Sequence, residues 1–168
     1  EYMDERWQYH NYRDVDIDKY ILAAEELARR GYYVFRMGVI VEKPLKSSNP
    51  KVIDYANSDM RSDFMDIYLS ANCFFCITTG SGLDGVSAVF RKPKANVSLV
   101  PLASAPMDCK ENLVLTKHHI NKRNQKELTI SEIFSANVGL AFINSVVTEI
   151  RTSFTPLIIF TSFTNSLK

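Results

Sequence analysis

The 168-residue chain is 46% hydrophobic and 23% charged, the balance of one soluble globular domain able to bury roughly 70% of the surface its unfolded form exposes. Twenty basic against nineteen acidic side chains leave a formal charge of +1, so no bulk field recruits nucleic acid or an anionic membrane. Apolar runs such as Leu157-Ile158-Ile159-Phe160 fall far below the ~20 residues of a transmembrane segment. Three cysteines make no disulfide framework, which points to a reducing compartment. The chain opens at Glu1 with no initiator Met, leaving room for a signal or a whole domain ahead of it.

Residues 1–13 carry Trp7, Tyr9 and Tyr12 without a clean period and read as a linker or loop. Ile17, Tyr20, Ile21, Ala24, Leu27 and Ala28 then recur at helical spacing. Asp14 and Asp16 stand where an N-cap belongs, Arg29 and Arg30 close the last turn, and Gly31 supplies the stop. Tyr32 to Met37, ended by Gly38, is a β-branched and aromatic run that predicts a buried strand. Glu42 to Pro50 has loop chemistry and Lys51 to Tyr55 predicts a short strand. Asp63 to Ala71 reads as a helix with Phe64, Ile67, Tyr68 and Ala71 on one face.

Cys73 to Thr78 predicts another buried strand, Thr79 to Gly82 a tight turn, and Leu83, Val86, Val89 and Phe90 a short helix stopped before Pro93. Lys94 to Val100 predicts a further strand. This alternation of strands and helices points to βαβ units in a mostly parallel, Rossmann-like α/β sheet spanning residues 14–150. Beyond Pro101 the pattern weakens to a strand at Leu113 to Thr116, a polar loop at Asn121 to Lys126, a helical turn at Ser131 to Phe134 and a second helix at Val138 to Ile150. Residues 151–168 have no amphipathic period and stay unassigned. They are expected to pack poorly and to exchange their amides quickly.

Cys73-Phe74-Phe75-Cys76 has the spacing of a redox or zinc half-site, but strand residues three apart face opposite ways, and no second pair completes four ligands. His118-His119 is no better supported, so no metal site is expected. The informative segment is Thr78-Thr79-Gly80-Ser81-Gly82-Leu83-Asp84-Gly85, where Gly80, Gly82 and Gly85 match G-x-G-x-x-G between a strand and a helix. Glycines permit positive φ and close backbone approach to a phosphate, and Ser81 adds a hydroxyl. A plain tight turn is the bland alternative. Thr79 and Leu83 exclude a serine-hydrolase elbow, and no Gly-Lys-Ser/Thr completes a phosphate-binding loop of the Walker type.

A dinucleotide site needs the fingerprint in the first βα turn and an acid about 20 residues on. Here Asp108 sits beyond two prolines, which leaves NAD(P) binding as the runner-up. Asp84 suits the loop backbone or a sugar hydroxyl better than a phosphate. Arg36, Lys43 and Arg61 fall at the same predicted sheet edge, where cations would suit a diphosphate.

Several stretches together resemble a family of bacterial glycosyltransferases associated with surface-polysaccharide genes. They are Tyr12 to Ile17, Gly31 to Gly38, Val52 to Ala56, Arg61 to Leu69, Thr79 to Asp84 through Phe90-Arg91-Lys92-Pro93, Lys117-His118-His119, and Leu128 to Phe134. The resemblance covers about Tyr12 to Phe142. It implies the C-terminal, donor-binding half of a GT-B-like enzyme, which passes a sugar from a nucleotide sugar to a cell-surface polysaccharide, glycan or lipid-linked acceptor. Such an enzyme needs no bound metal or other cofactor and works in the cytoplasm or at the inner membrane.

By that analogy Arg36, the turn Arg61-Ser62-Asp63, the loop Thr79, Gly80, Ser81 and Gly82, and Asp84 are donor-site candidates. The family's acceptor-side domain and the strand expected before Glu1 are missing from these residues, and the tail after Phe142 leaves the pattern, as a truncated or frameshifted end would. The chain alone is therefore expected to bind donor without transferring sugar. The remaining alternatives are an NAD(P)-dependent oxidoreductase domain and a nucleotide-binding module without catalysis.

Overall fold

The structure, a computed structural model, describes residues 15–106, 108–121 and 123–135, together with the backbone of 148–150 and 157–161. Asp16 opens the first element by accepting the Asp18 N–H at 3.0 Å, and a 3-10 turn at Ile17–Tyr20 runs into α1 (Ile21–Arg29). Gly31, at φ +103°, ends the helix in the left-handed conformation that costs other residues about 1–2 kcal/mol. The periodic residues read from the sequence pack inward: Ile17, Tyr20, Ala24 and Ala28 meet Val34, with Ile21 and Leu27 beside them. Asp14 lies outside the described residues.

Strand β1 (Tyr33–Met37) is covered on both faces, which is why its sequence is apolar without alternation. Val34 joins the α1 cluster, whereas Phe35 and Met37 join a second one with Tyr55, Leu69, Cys73 and Cys76. Strand β2 is only Val52–Ile53, and Tyr55 belongs to a 3-10 turn (Tyr55–Asn57) rather than to the predicted strand. Helix α2 (Asp63–Asn72) is capped by Ser62, whose hydroxyl accepts the Met65 N–H at 3.2 Å.

The face of α2 differs from the expectation. Phe64, Ile67 and Tyr68 are exposed, while Asp66, Leu69 and Ser70 are buried. The segment is apolar on more than one side, and packing selects Met65, Leu69 and Cys73, spaced i, i+4, i+8, for the second cluster. The reading of Cys73 and Cys76 as strand neighbours pointing apart is corrected too. Cys73 is the C-cap of α2, outside the strand, so both thiols turn onto one core.

The chain continues through β3 (Phe75–Thr78), α3 (Asp84–Val89), β4 (Lys94–Leu99), β5 (Leu113–Thr116), β6 (His119–Asn121), α4 (Ile130–Ser135), β7 (Thr148–Ile150) and β8 (Leu157–Thr161). A short sheet pairs β6 with β7, and the main sheet runs β2-β1-β8-β3-β4-β5. The fold is mixed α/β: β1 with β2, β3 with β4, and β4 with β5 are parallel pairs, in keeping with the expected Rossmann-like class. No helix among the described residues is long and apolar enough to cross a membrane. Of the helix expected at Val138 to Ile150, the last three residues form β7 and the others lie outside the described residues.

The main departure is the tail. Expected to pack poorly, it contributes β8 to the middle of the sheet, antiparallel to β1 (Phe35 opposite Ile159) and to β3 (Cys76 opposite Ile159). Its place is set by pairing on both edges, which leaves no periodic mark in the sequence. Peptides covering Leu157 to Thr161 should therefore exchange as slowly as those of β1 and β3 in hydrogen-exchange mass spectrometry. Exchange within seconds would place them outside the sheet.

Candidate functional site

Every parallel strand of the main sheet ends at one edge, where open α/β sheets place their ligands. β3 reaches it at Thr78, whose hydroxyl donates to Asp84 Oδ2 at 2.9 Å and accepts the Gly80 N–H at 3.1 Å. Asp84 thus holds its own loop through Thr78. Gly80 sits at φ +88°, a conformation only glycine takes without strain. Gly82 and Gly85 have no positive φ, and a Cβ on either would meet no atom within 4 Å. Of the three glycines in the fingerprint, the backbone itself demands only the first.

Beside this loop lies a cavity of about 210 Å³, lined by Gly80, Asp84, Lys94, Asn96, Leu99 and Ser104 among others. Lys94 and Asn96 alternate onto it from β4. A bulge between Asn96 and Leu99, with Ser98 at φ +57°, breaks the alternation and brings Leu99 to the same lining. Lys94 is buried and lies 3.2 Å from Asp108. Asn112 braces the pair, accepting the Lys94 N–H at 2.8 Å and donating to Asp108 at 3.2 Å.

Asn96 is 2% exposed, and its Nδ2 finds no partner among the described residues. A buried donor left unpaired costs about 1–3 kcal/mol. Thr79 Oγ1 and Ser81 Oγ on the adjoining loop are buried and unpartnered in the same way.

The predicted cations do not converge on this cavity. Arg36 is 3% exposed and spends its guanidinium on Asp54 at 3.2 Å and on the Lys43 carbonyl at 3.3 Å. Lys43 pairs with Asp16 and Asp18. Arg61 pairs with Asp66 at 3.2 Å. The Ser62 hydroxyl is the α2 cap, its backbone is tied to the Tyr55 hydroxyl, and Asp63 is exposed in the first turn. Leu83 packs with Met65 against the Tyr55 cluster, so the glycine loop and the Arg61–Asp63 turn flank one core while their polar groups stay apart.

Burial pushes both core thiols up, Cys76 to about 12, with the neighbouring Cys73 adding to the effect. They are therefore poor nucleophiles and poor metal ligands at neutral pH. His118 is exposed against Glu127, while buried His119 is held below its ordinary range by desolvation. Among the described residues no group of three or more His, Cys, Asp or Glu could hold a metal ion.

Lys94 and Asn96 escaped the sequence reading. Behind Pro93 they look like solvated residues at a strand start, and only pairing on both sides of β4 makes them interior. No protein-family profile, curated protein sequence or solved structure matches the chain.

The two loop glycines should respond differently to alanine. Gly80→Ala should cost about 1–2 kcal/mol in urea unfolding, the cost of a left-handed non-glycine residue. Gly82→Ala should be neutral or add about 0.4–1 kcal/mol by restricting the unfolded chain. Equal losses at both positions would contradict the loop geometry.

Proposed function

We propose that the chain is the donor-binding domain of a GT-B-like glycosyltransferase, holding a nucleotide sugar for transfer to a cell-surface polysaccharide or glycan acceptor. The motif resemblance over Tyr12 to Phe142 supports this reading. One structural observation supports it further: the carboxyl edge of β3 and β4 opens onto a polar cavity where the buried Asn96 amide lacks a partner. A ligand with hydroxyl or phosphate oxygens would satisfy it.

In transfer, an acceptor oxygen attacks the anomeric carbon, the bond to the diphosphate breaks, and nucleoside diphosphate leaves with the electron pair. This domain's part is to hold the donor. The acceptor, and the base that takes its proton, come from the partner half. Joint fixation of donor and acceptor is worth up to roughly 7–11 kcal/mol of barrier, so these residues alone should bind without turnover. The oxidoreductase alternative is less well supported. Its fingerprint belongs in the first βα turn, whereas this loop follows β3, and the strand after it ends in Leu99, Val100 and Pro101 without an acid.

Calorimetric titration with nucleotide sugars and with NAD(P) tests the reading. Nucleotide sugars should bind and NAD(P) should not, with no glycosylated product by mass spectrometry. Asn96→Leu should weaken nucleotide-sugar binding about tenfold, or 1.4 kcal/mol, while raising the melting temperature, because the orphaned amide is gone. NAD(P) binding tighter than any nucleotide sugar, or unchanged affinity in folded Asn96→Leu, would overturn it.

A further inference from the structure

Two charged side chains line the cavity beside the glycine loop, and both are engaged inside the protein. Asp84 accepts the Thr78 hydroxyl at 2.9 Å, and Lys94 lies 3.2 Å from Asp108. Asn96 differs. It is 2% exposed, and its Nδ2 has no partner among the described residues. The same lining carries three hydrocarbon side chains, those of Leu99, Val100 and Pro106. Leu99 also backs the glycine loop, because a Cβ on Gly80 would meet its Cδ1 at 3.6 Å. At about 210 Å³ the cavity is smaller than the roughly 300–1,000 Å³ of sites that enclose a whole small molecule, so it takes one part of a larger ligand.

Resting on the donor-binding reading, we propose that this cavity reads an acetamido substituent on the donor's sugar, so that the donor is a nucleotide N-acetylamino sugar. A buried amide donor beside a hydrocarbon wall calls for an acceptor oxygen and a methyl carried close together, and an acetamido group has both on one carbon. Its carbonyl oxygen is acceptor-only, so it satisfies Asn96 Nδ2 without bringing in a further hydrogen to be paired. Its methyl meets Leu99, Val100 and Pro106. Its N–H has an acceptor in Asp84, since an ionised carboxylate offers about four lone-pair sites and can take it in addition to the contacts it already makes. A plain hexose supplies a hydroxyl without the methyl, and a 6-deoxy sugar a methyl without the carbonyl. Burying the methyl and pairing the orphaned donor together are worth about tenfold or more in affinity.

The test is calorimetry on the whole chain with two matched pairs, UDP-glucose against UDP-N-acetylglucosamine and UDP-galactose against UDP-N-acetylgalactosamine. UDP, GDP-mannose and the 6-deoxy donor dTDP-rhamnose complete the panel. In at least one pair the acetamido sugar should bind about tenfold more tightly than its parent hexose, and more tightly than UDP, GDP-mannose and dTDP-rhamnose. Asn96→Leu removes the amide donor and should bring that pair to within about threefold of each other. Saturation-transfer NMR on the tightest acetamido donor should show the acetyl methyl among its most strongly saturated protons.

Equal or weaker binding of the acetamido sugar in both pairs would overturn the proposal while leaving the donor-binding reading in place. So would tighter binding of GDP-mannose or dTDP-rhamnose than of either acetamido sugar, an unchanged preference in folded Asn96→Leu, or an acetyl methyl that receives no saturation. Should the variant fail to fold, the wild-type pairs and the methyl signal decide. Absence of binding by every nucleotide and nucleotide sugar would instead remove the donor-binding reading on which the proposal rests.

Discussion

Strand β8 stands between two parallel half-sheets, β2-β1 on one side and β3-β4-β5 on the other, and bonds to both. Along its length it faces every residue of β1, and Phe75, Cys76 and Ile77 of β3. Among the described residues no other ladder of the main sheet joins the halves. The second core cluster spans the same seam, with Phe35 and Met37 from β1 meeting Cys73 and Cys76 from the β3 side. Because the joining strand lies some 80 to 130 residues along the chain from its partners, closing the sheet carries a loop-closure cost that local contacts do not repay.

The seam also organises the carboxyl edge. It fixes β3, and hence the Thr78–Asp84 bond and the turn at Gly80, relative to β1 and the loops beyond it. On the β1 side, charge is used for construction. Arg36 and Asp54 tie the strand to the crossover by contacts with Lys43 and with the Leu45 N–H. Removing one partner of such a buried pair typically costs about 3–5 kcal/mol because the other charge is left unpaired. On the β4 side, polar groups surround a cavity and one buried amide is left unsatisfied. Ion pairs stand on both sides of the edge, and buried unpaired groups as well, Arg36 Nε on the β1 side and Asn96 Nδ2 beside the cavity on the β4 side.

Local chemistry made much of the fold legible in the sequence. Helix α1 carries a clean period, an Asx turn at Asp16 and a glycine stop, and β1, β3 and β4 are bounded by glycine and proline. What failed was whatever depends on distant partners. β8 is held by pairing on both edges, and nothing local distinguishes such an apolar run from an unstructured tail. The face of α2 was misread because Phe64, Ile67 and Tyr68 are as apolar as Met65 and Leu69, and only the sheet decides between them. The candidate site was half legible. Gly80 and Asp84 announced themselves by motif, whereas Lys94 and Asn96 gained their roles from β4's place between β3 and β5. Arg36 looked like a ligand cation because a charge in an apolar run is conspicuous, but Asp54, eighteen residues on, had already claimed it.

The central claim, that β8 joins the two half-sheets into one cooperative unit, is tested most directly by urea unfolding of Ile159→Pro. Ile159 lies opposite Phe35 on one side and Cys76 on the other, so proline there removes a ladder donor and its ring disturbs both pairings. The account predicts a large drop in the unfolding midpoint, or loss of the single transition, detected by both far- and near-ultraviolet circular dichroism. A single transition at the wild-type midpoint would contradict it and place Leu157–Thr161 outside the sheet.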